Sequence, residues 1–274
     1  MRRTQVIGKS YAHFPIGTGL ETVRSRIAAA AAAAGRDAGD IQLIAVSKAF
    51  PPQAIRAAAI CGQRAFGENY AQEAVNKIAA LGSWSSEARS EPILGRAAAT
   101  NLGAVSTEQP QRLDLEWHFI GPIQSNKTKL LAEHFHWVQS VDRARVAQRL
   151  SDQRPLHLPP LQVCIQVNVS GEASKSGVDP SDLIELARQV EVLPRLRLRG
   201  LMTVPEPNPD AGALRRQFRL LRELWHGLAA RGFVLDTLSM GMSDDLDLAI
   251  AEGATMVRVG RAIFGDRPGK GLAS

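Results

Sequence analysis

The chain has little cysteine, few aromatic residues and no long apolar run. Its 274 residues include only two cysteines, Cys61 and Cys164. They lie far apart, with no CxxC and no neighbouring histidine cluster. A disulfide framework and a zinc site are therefore not expected, and a reducing cytoplasm is the default compartment. No apolar stretch approaches the roughly 20 residues that cross a bilayer. The opening MRRTQVIGKSYAHFPIGTG places no apolar core behind its arginines, so neither a secretory signal nor a membrane partner is expected. Aromatics make up 5% of the chain. The net charge of +6 comes from basic residues scattered through mixed segments such as LPRLRLRG and ALRRQFRLLREL. Without a basic block or interleaved aromatics, no nucleic-acid partner is expected.

What is present suits a soluble globular protein with one large core: 45% hydrophobic and 22% charged residues. Residues 20–34, LETVRSRIAAAAAAA, are strong helix formers, with Gly35 as a stop. Apolar runs of strand length begin near 41, 64, 117, 137, 161, 198, 234 and 255. A helical segment follows each of the first seven: 52–60, 71–81, 125–135, 143–153, 179–193, 213–232 and 243–253. Ser125 or Asn126 is the expected cap of the third of these, and Asp179 that of the fifth, with Pro180 in its first turn. Strand–helix alternation with apolar strands implies a parallel sheet. Eight such units in about 250 residues fit a closed (β/α)8 TIM barrel. A doubly wound open sheet is the runner-up, and no GxGxxG follows the first strand to support its dinucleotide-binding form. The expected organisation is an N-terminal extension over 1–19 and one barrel over 20–274. Residues 82–112 mix Gly, Ser, Thr and Pro without a period and read as a surface insertion.

Chemistry in such barrels gathers at the carboxyl ends of the strands. The stretch IQLIAVSKAFPP puts Lys48 at the end of a strand that reads as buried on both faces. A lysine there, facing the barrel mouth, is partly desolvated, which favours the free amine, and a free amine forms a Schiff base with an aldehyde. The bland alternative is a lysine snorkelling to solvent. The other strand ends offer Gly67 to Tyr70, Gly121 to Lys127, Asn168 and Ser170, Met202 and Thr203, Ser239 to Ser243, and Arg258 to Arg261. Each alone reads better as a turn, a cap or a matter of backbone geometry than as a site residue. Together, SMGMS and VGRAIFG give two glycine-bearing loops that precede helices after strands seven and eight. That is where these barrels hold phosphate, through free backbone N–H groups and the helix dipole. Pyridoxal 5′-phosphate (PLP) is an aldehyde that also carries a phosphate.

The segments AVSK, FGENYAQE, WHFIGPIQSNK, VNVSGEASKSGV, LRGLMTVPEP, LSMGMSDDLDLAIAEGATMVRVG and AIFG occur in that order. This set resembles the PLP homeostasis proteins, also called the YggS/PROSC family, from about residue 20 to residue 266. The resemblance implies a single-domain, fold-type III barrel like the N-terminal domain of alanine racemase, with PLP held as a Schiff base on Lys48. It implies Asn69 and Met202 near the cofactor and Arg258 against the pyridine nitrogen. It assigns the phosphate to Ser239, Ser243, Gly260 and the residue after it, Arg261, largely through backbone N–H groups. Family members often carry a small hydroxyl residue where Arg261 stands.

The implied role is to carry or buffer intracellular PLP, with PLP-dependent apo-enzymes as recipients, a monomeric state and no robust catalysis. A cationic arginine at the pyridine nitrogen also weakens PLP as an electron sink. Two alternatives stay open. One is a fold-type III enzyme such as an amino-acid racemase, which requires a second base across the ring; Tyr11 and Tyr70 are the only tyrosines. The other is a sugar-phosphate enzyme with Lys48 as an aldolase-like base. Lys127 and Lys175 are further lysines near strand ends and read as solvated surface residues.

Overall fold

The computed structural model describes residues 16–82, 114–171, 176–205 and 210–266. The expected insertion, apart from Gly82, and residues 1–15 of the expected extension lie outside them, as do Lys175 and Tyr11.

Eight parallel strands close a barrel in sequence order: β1 (Gln42–Val46), β2 (Ala65–Glu68), β3 (Glu116–Phe119), β4 (Trp137–Val141), β5 (Leu161–Gln166), β6 (Leu196–Met202), β7 (Thr237–Ser239) and β8 (Met256–Val259). β8 returns to β1 with Ile44 opposite Arg258, which makes the first and last strands neighbours. All eight expected strands form, and the closed barrel replaces the open-sheet alternative. The helices are α1 (Ile16–Ala33), α2 (Pro52–Ile60), α3 (Ala71–Gly82), α4 (Thr128–His134), α5 (Ala144–Gln153), α6 (Leu183–Glu191), α7 (Ala211–Ala229), α8 (Leu246–Ala251) and α9 (Arg261–Phe264).

Strand parity builds two cores. Ile44, Ala65, Trp137, Cys164, Met202 and Met256 point inward and fill the barrel. The alternate residues, Ala45, Phe66, Val138, Ile165, Leu201 and Val257, face outward into a larger layer beneath the helices. Helices meet that layer with residues at helical spacing. Leu20, Val23, Ile27 and Ala31 are the buried positions of α1 beyond Gly19, so most of its polyalanine is exposed helix. Gly35 ends α1 with φ of 66°, and Arg36 N donates back to the Ala31 carbonyl at 2.9 Å, as expected of a glycine stop.

Two helix starts differ from expectation. The Asp179 carboxylate accepts from the Ser181 amide and hydroxyl at 2.8 and 2.7 Å, closing a local turn, and α6 begins only at Leu183. Ser125 and Asn126 sit in a 3-10 turn that precedes α4, whose first residue, Thr128, donates its hydroxyl to the Ser125 carbonyl. In both cases a local side-chain turn competes with the helix for the same backbone groups.

Candidate functional site

The carboxyl ends of the strands surround a cavity of about 580 Å³. β1 brings Val46 and Lys48, β8 brings Arg258, and Asn69 follows β2. Met242, Ser243 and Asp244 line it from the loop after β7, and Gly260 and Arg261 from the start of α9. Phe50, Ile120 and Val204 supply apolar wall. Six of the residues expected at the site thus meet in one cavity: Lys48, Asn69, Ser243, Arg258, Gly260 and Arg261. Met202 and Ser239 do not line it. Both are fully buried beneath it, Met202 in the inner core and Ser239 behind Arg258. Lys127 is half-buried and is not part of the wall. A second cavity, of about 450 Å³, lies at the amino ends of β1 and β2, lined by Arg24, Gln42, Gln63 and Arg64 among others, and holds none of these residues.

Lys48 stands on a backbone turn with two ties. β1 parity sends Ile44, Val46 and Lys48 inward and Ser47 outward. Ala49 has φ of 65°, and it alone among the described non-glycine residues has a positive φ. An L-residue held there costs about 1–2 kcal/mol. The Ala49 amide donates to Glu73 Oε1 of α3 at 2.8 Å. On the outer face, the Ser47 hydroxyl donates to Glu68 Oε1 at 2.6 Å. Lys77 Nζ donates to the same oxygen and to the Ser47 carbonyl, both at 2.8 Å, and pairs with Glu73 at 2.5 Å. Glu68 is fully buried and Lys77 nearly so. Burial raises the Glu68 carboxyl above its ordinary pKa, against the pull of Lys77 and Ser47.

Arg258 is held differently. It is 3% exposed, and burial lowers its pKa to about 10, with Asp245 acting in the opposite sense, so it stays cationic at neutral pH. Its Nη2 donates to the Thr203 carbonyl at 2.7 Å and its Nη1 to the Ser239 hydroxyl at 2.6 Å. Ser239 donates onward to Gln139 Oε1 at 2.6 Å, and Gln139 Nε2 lies 2.9 Å from His118 Nδ1. His118 is completely buried, stacked on Trp137, and burial lowers its pKa, so it is neutral at pH 7. Its Nδ1 accepts from Gln139, which leaves the proton on Nε2, facing Glu116 at 3.7 Å. Burial alone would raise the Glu116 carboxyl. His118, together with donors Trp137 and Gln42, outweighs it and holds the pKa at about 2. A hydrogen-bonded chain thus runs down the barrel axis from the mouth to His118, ending against the carboxylate at the amino end of β3. Its members Gln139 and His118 were missed in the sequence. The available signal was polar residues at inward positions of strands β3 and β4.

The loops after β7 and β8 are fixed by backbone geometry. Gly241 has φ of 96°, and a Cβ there would lie 2.6 Å from the Ala249 side chain. Its carbonyl accepts the Arg258 amide at 2.9 Å, and Asp245 takes the Met242 amide. Arg26 of α1 holds the Ser243 carbonyl while chelating Asp247. Gly121 lets the loop after β3 press on Asn69, since a Cβ would sit 2.3 Å from the Asn69 carbonyl oxygen. The buried Asn69 Oδ1 has no hydrogen-bond partner. The Arg261 side chain is 77% exposed, 3.9 Å from Asp266. The site therefore combines a half-buried amine, a buried cation, an unsatisfied amide oxygen and two glycine-bearing loops around one cavity. Such a set can hold an anion and present an amine to it.

The alanine racemase N-terminal domain family matches residues 19–268. A protein of Pseudomonas aeruginosa named pyridoxal phosphate homeostasis protein is 53% identical over 252 residues, covering 92% of this chain and 96% of its own length. PipY of Synechococcus elongatus, solved with PLP bound, is 34% identical with a TM-score of 0.71, covering 91% of this chain and all of that one. Alanine racemase of Corynebacterium glutamicum, at 17% identity and a TM-score of 0.60, shares the fold, with 63% of its chain covered. An ordered motif set, a sequential eight-stranded barrel and near-complete coverage agree: the chain belongs to the pyridoxal phosphate homeostasis protein family, built on the alanine racemase N-terminal domain.

Proposed function

We propose that this chain binds PLP in the barrel-mouth cavity, with Lys48 as the point of covalent attachment, and serves PLP homeostasis as a carrier or buffer. The observation that carries the reading is the convergence of Lys48 and Arg258, from neighbouring strands, on one cavity of a chain 53% identical to a protein named for that role. The residues fit the group. The cavity has room for a substituted pyridine, and Asn69 Oδ1 is an acceptor without a partner. When bound, PLP supplies an aldehyde that condenses reversibly with a primary amine, releasing water.

The chain's own residues have distinct roles in this reading. Lys48 provides the amine. Arg258, with two nitrogens already engaged, keeps its remaining N–H groups for the pyridine nitrogen. Ser243, Gly260 and Arg261 face the phosphate end, where backbone N–H groups near helix starts favour an anion. Ser239 acts through Arg258, and Met202 through the packed floor below it. PLP-dependent apo-enzymes are the recipients. Two free cysteines, one exposed and one buried, accord with a reducing cytoplasm. In this reading the protein acts as a monomer.

The test is a visible absorption spectrum of the purified protein with added PLP, wild type beside Lys48→Ala, followed by borohydride reduction and peptide mapping. The expected result is a violet-region band in the wild type with the reduced adduct on Lys48, and neither in the variant. A wild type with no band returns the chain to the sugar-phosphate reading. A band accompanied by loss of optical rotation from L-alanine favours a racemase.

A further inference from the structure

Both neighbours of Lys48 are tied to one buried ammonium that faces away from the cavity. Lys77 holds the Ser47 carbonyl directly at 2.8 Å. It holds Ala49 through Glu73, whose Oε1 takes the Ala49 amide at 2.8 Å and lies 2.5 Å from Lys77 Nζ. Glu68 completes the group, bonded to Lys77 and to the Ser47 hydroxyl. None of Lys77, Glu68 and Glu73 lines the cavity. They lie between β1, β2 and α3, on the outer face of the strand whose inner face carries Lys48.

Two features are poor choices for stability alone. Burying an ion pair is rarely more stable than burying apolar side chains of the same volume. Alanine at a positive φ is strained where glycine is not, and Ala49 is exposed, so no packing demands its methyl group. Strain retained beside a reactive residue points to a geometric requirement. The requirement here is the direction of the Lys48 side chain. Reversing the backbone after Lys48 keeps residue 48 in the inward register of β1 while the chain leaves the barrel toward α2.

We propose that Lys77, Glu68 and Glu73 form a positioning clamp that holds Ala49 in its left-handed conformation and so aims Lys48 at bound PLP. The inference rests on the Lys48 reading above. The clamp touches no ligand, and Glu73 is its most accessible part, with 34% of its side chain exposed.

The experiment titrates the full-length protein with PLP, following the violet band, and quantifies the borohydride-fixed adduct on Lys48. Glu73→Ala, which removes the acceptor of the Ala49 amide, is expected to raise the half-saturating PLP concentration about tenfold, the factor that strain of this kind represents, with the melting temperature little changed. Ala49→Gly in the Glu73→Ala background is expected to restore most of the loss, because glycine adopts the turn without the clamp. Ala49→Val in the wild-type background, at an exposed position, is expected to weaken binding, because a β-branched residue resists a positive φ. A purely structural role for Glu73 predicts no rescue by glycine. A wild type that labels Lys48 while Glu73→Ala titrates normally overturns the clamp, and so does a Glu73→Ala defect that glycine leaves in place. Absence of any band in the wild type is the distinct failure of the Lys48 reading, and the clamp falls with it.

Discussion

β1 and β8 are adjacent strands that each deliver a basic side chain to the same cavity, yet they support it by opposite means. Lys48 is supported from outside the barrel by charged groups and a strained turn. Arg258 is supported from inside by a chain of neutral groups, Ser239, Gln139 and His118. The difference follows from position. The outer face of β1 looks toward α3, and a helix can supply a second charge at the right height. The barrel interior is reached only by strand residues, each in a low-dielectric surrounding where an unpaired charge is costly. A neutral chain in which each member donates to the next disperses the arginine's field without burying a bare carboxylate beside it. The clamp described for the lysine acts on the backbone on either side of it, whereas the chain described for the arginine acts on its own guanidinium.

The contrast can be broken first on the charged side. Lys77→Met leaves Glu68 buried without its cation, and removal of one partner from a buried pair costs about 3–5 kcal/mol. Urea unfolding at neutral pH is expected to show a loss of that order. Burial already raises the Glu68 pKa, and losing Lys77 raises it further. The folded state then binds a proton more tightly than the unfolded state. The variant's deficit is therefore expected to shrink as pH falls below the raised carboxyl pKa and to grow as pH rises through it. Adding Glu68→Gln should recover much of the loss, since the uncompensated charge is gone.

The neutral side is expected to respond less. Gln139→Leu removes the acceptor of Ser239 and the donor to His118, and leaving buried polar groups unmatched costs about 1–3 kcal/mol. The same variant frees Ser239 to reorient and loosens Arg258, so the PLP absorption band is expected to shift in position while the adduct stays on Lys48. A stability loss with an unchanged spectrum would separate the chain from the site.

The smallest effect lies at the far end of that chain. The Glu116 pKa, held at about 2, is below its ordinary value of 4.5. A depressed carboxyl contributes stability that is present above 4.5 and is lost as pH falls toward 2. Glu116→Gln is expected to flatten the acid side of the melting-temperature profile across that window and leave the profile near neutrality almost unchanged. Glu116 is partly exposed, so solvent screening limits the size of the effect.

Much of this arrangement was legible in one dimension. Apolar runs of strand length alternating with helical segments defined the eight strands, because a strand buried on both faces must be apolar almost throughout. The glycines of SMGMS and VGRAIFG marked loops where a side chain does not fit, and Lys48 stood out as a charge at the end of such a strand. Glu73 and Lys77 are visible as an i, i+4 pair, which on a surface helix means little. Nothing local reveals that Lys77 of this pair is buried against Glu68 and Ser47. The chain from Arg258 to His118 was also hidden, because its members come from β3, β4, β7 and β8 and meet only when the sheet closes. The placement of Met202 and Ser239 beneath the cavity, with Ser243 on its wall, depended on how deep each residue sits along its strand.

The sequence by itself determined the fold class and the family and singled out Lys48 at a strand end, because each rests on local patterning or on ordered motifs. Only the tertiary structure decided what stands behind that lysine and behind Arg258. Barrel closure sets which residues face inward at the same level, and that juxtaposition depends on pairing between strands distant in the chain.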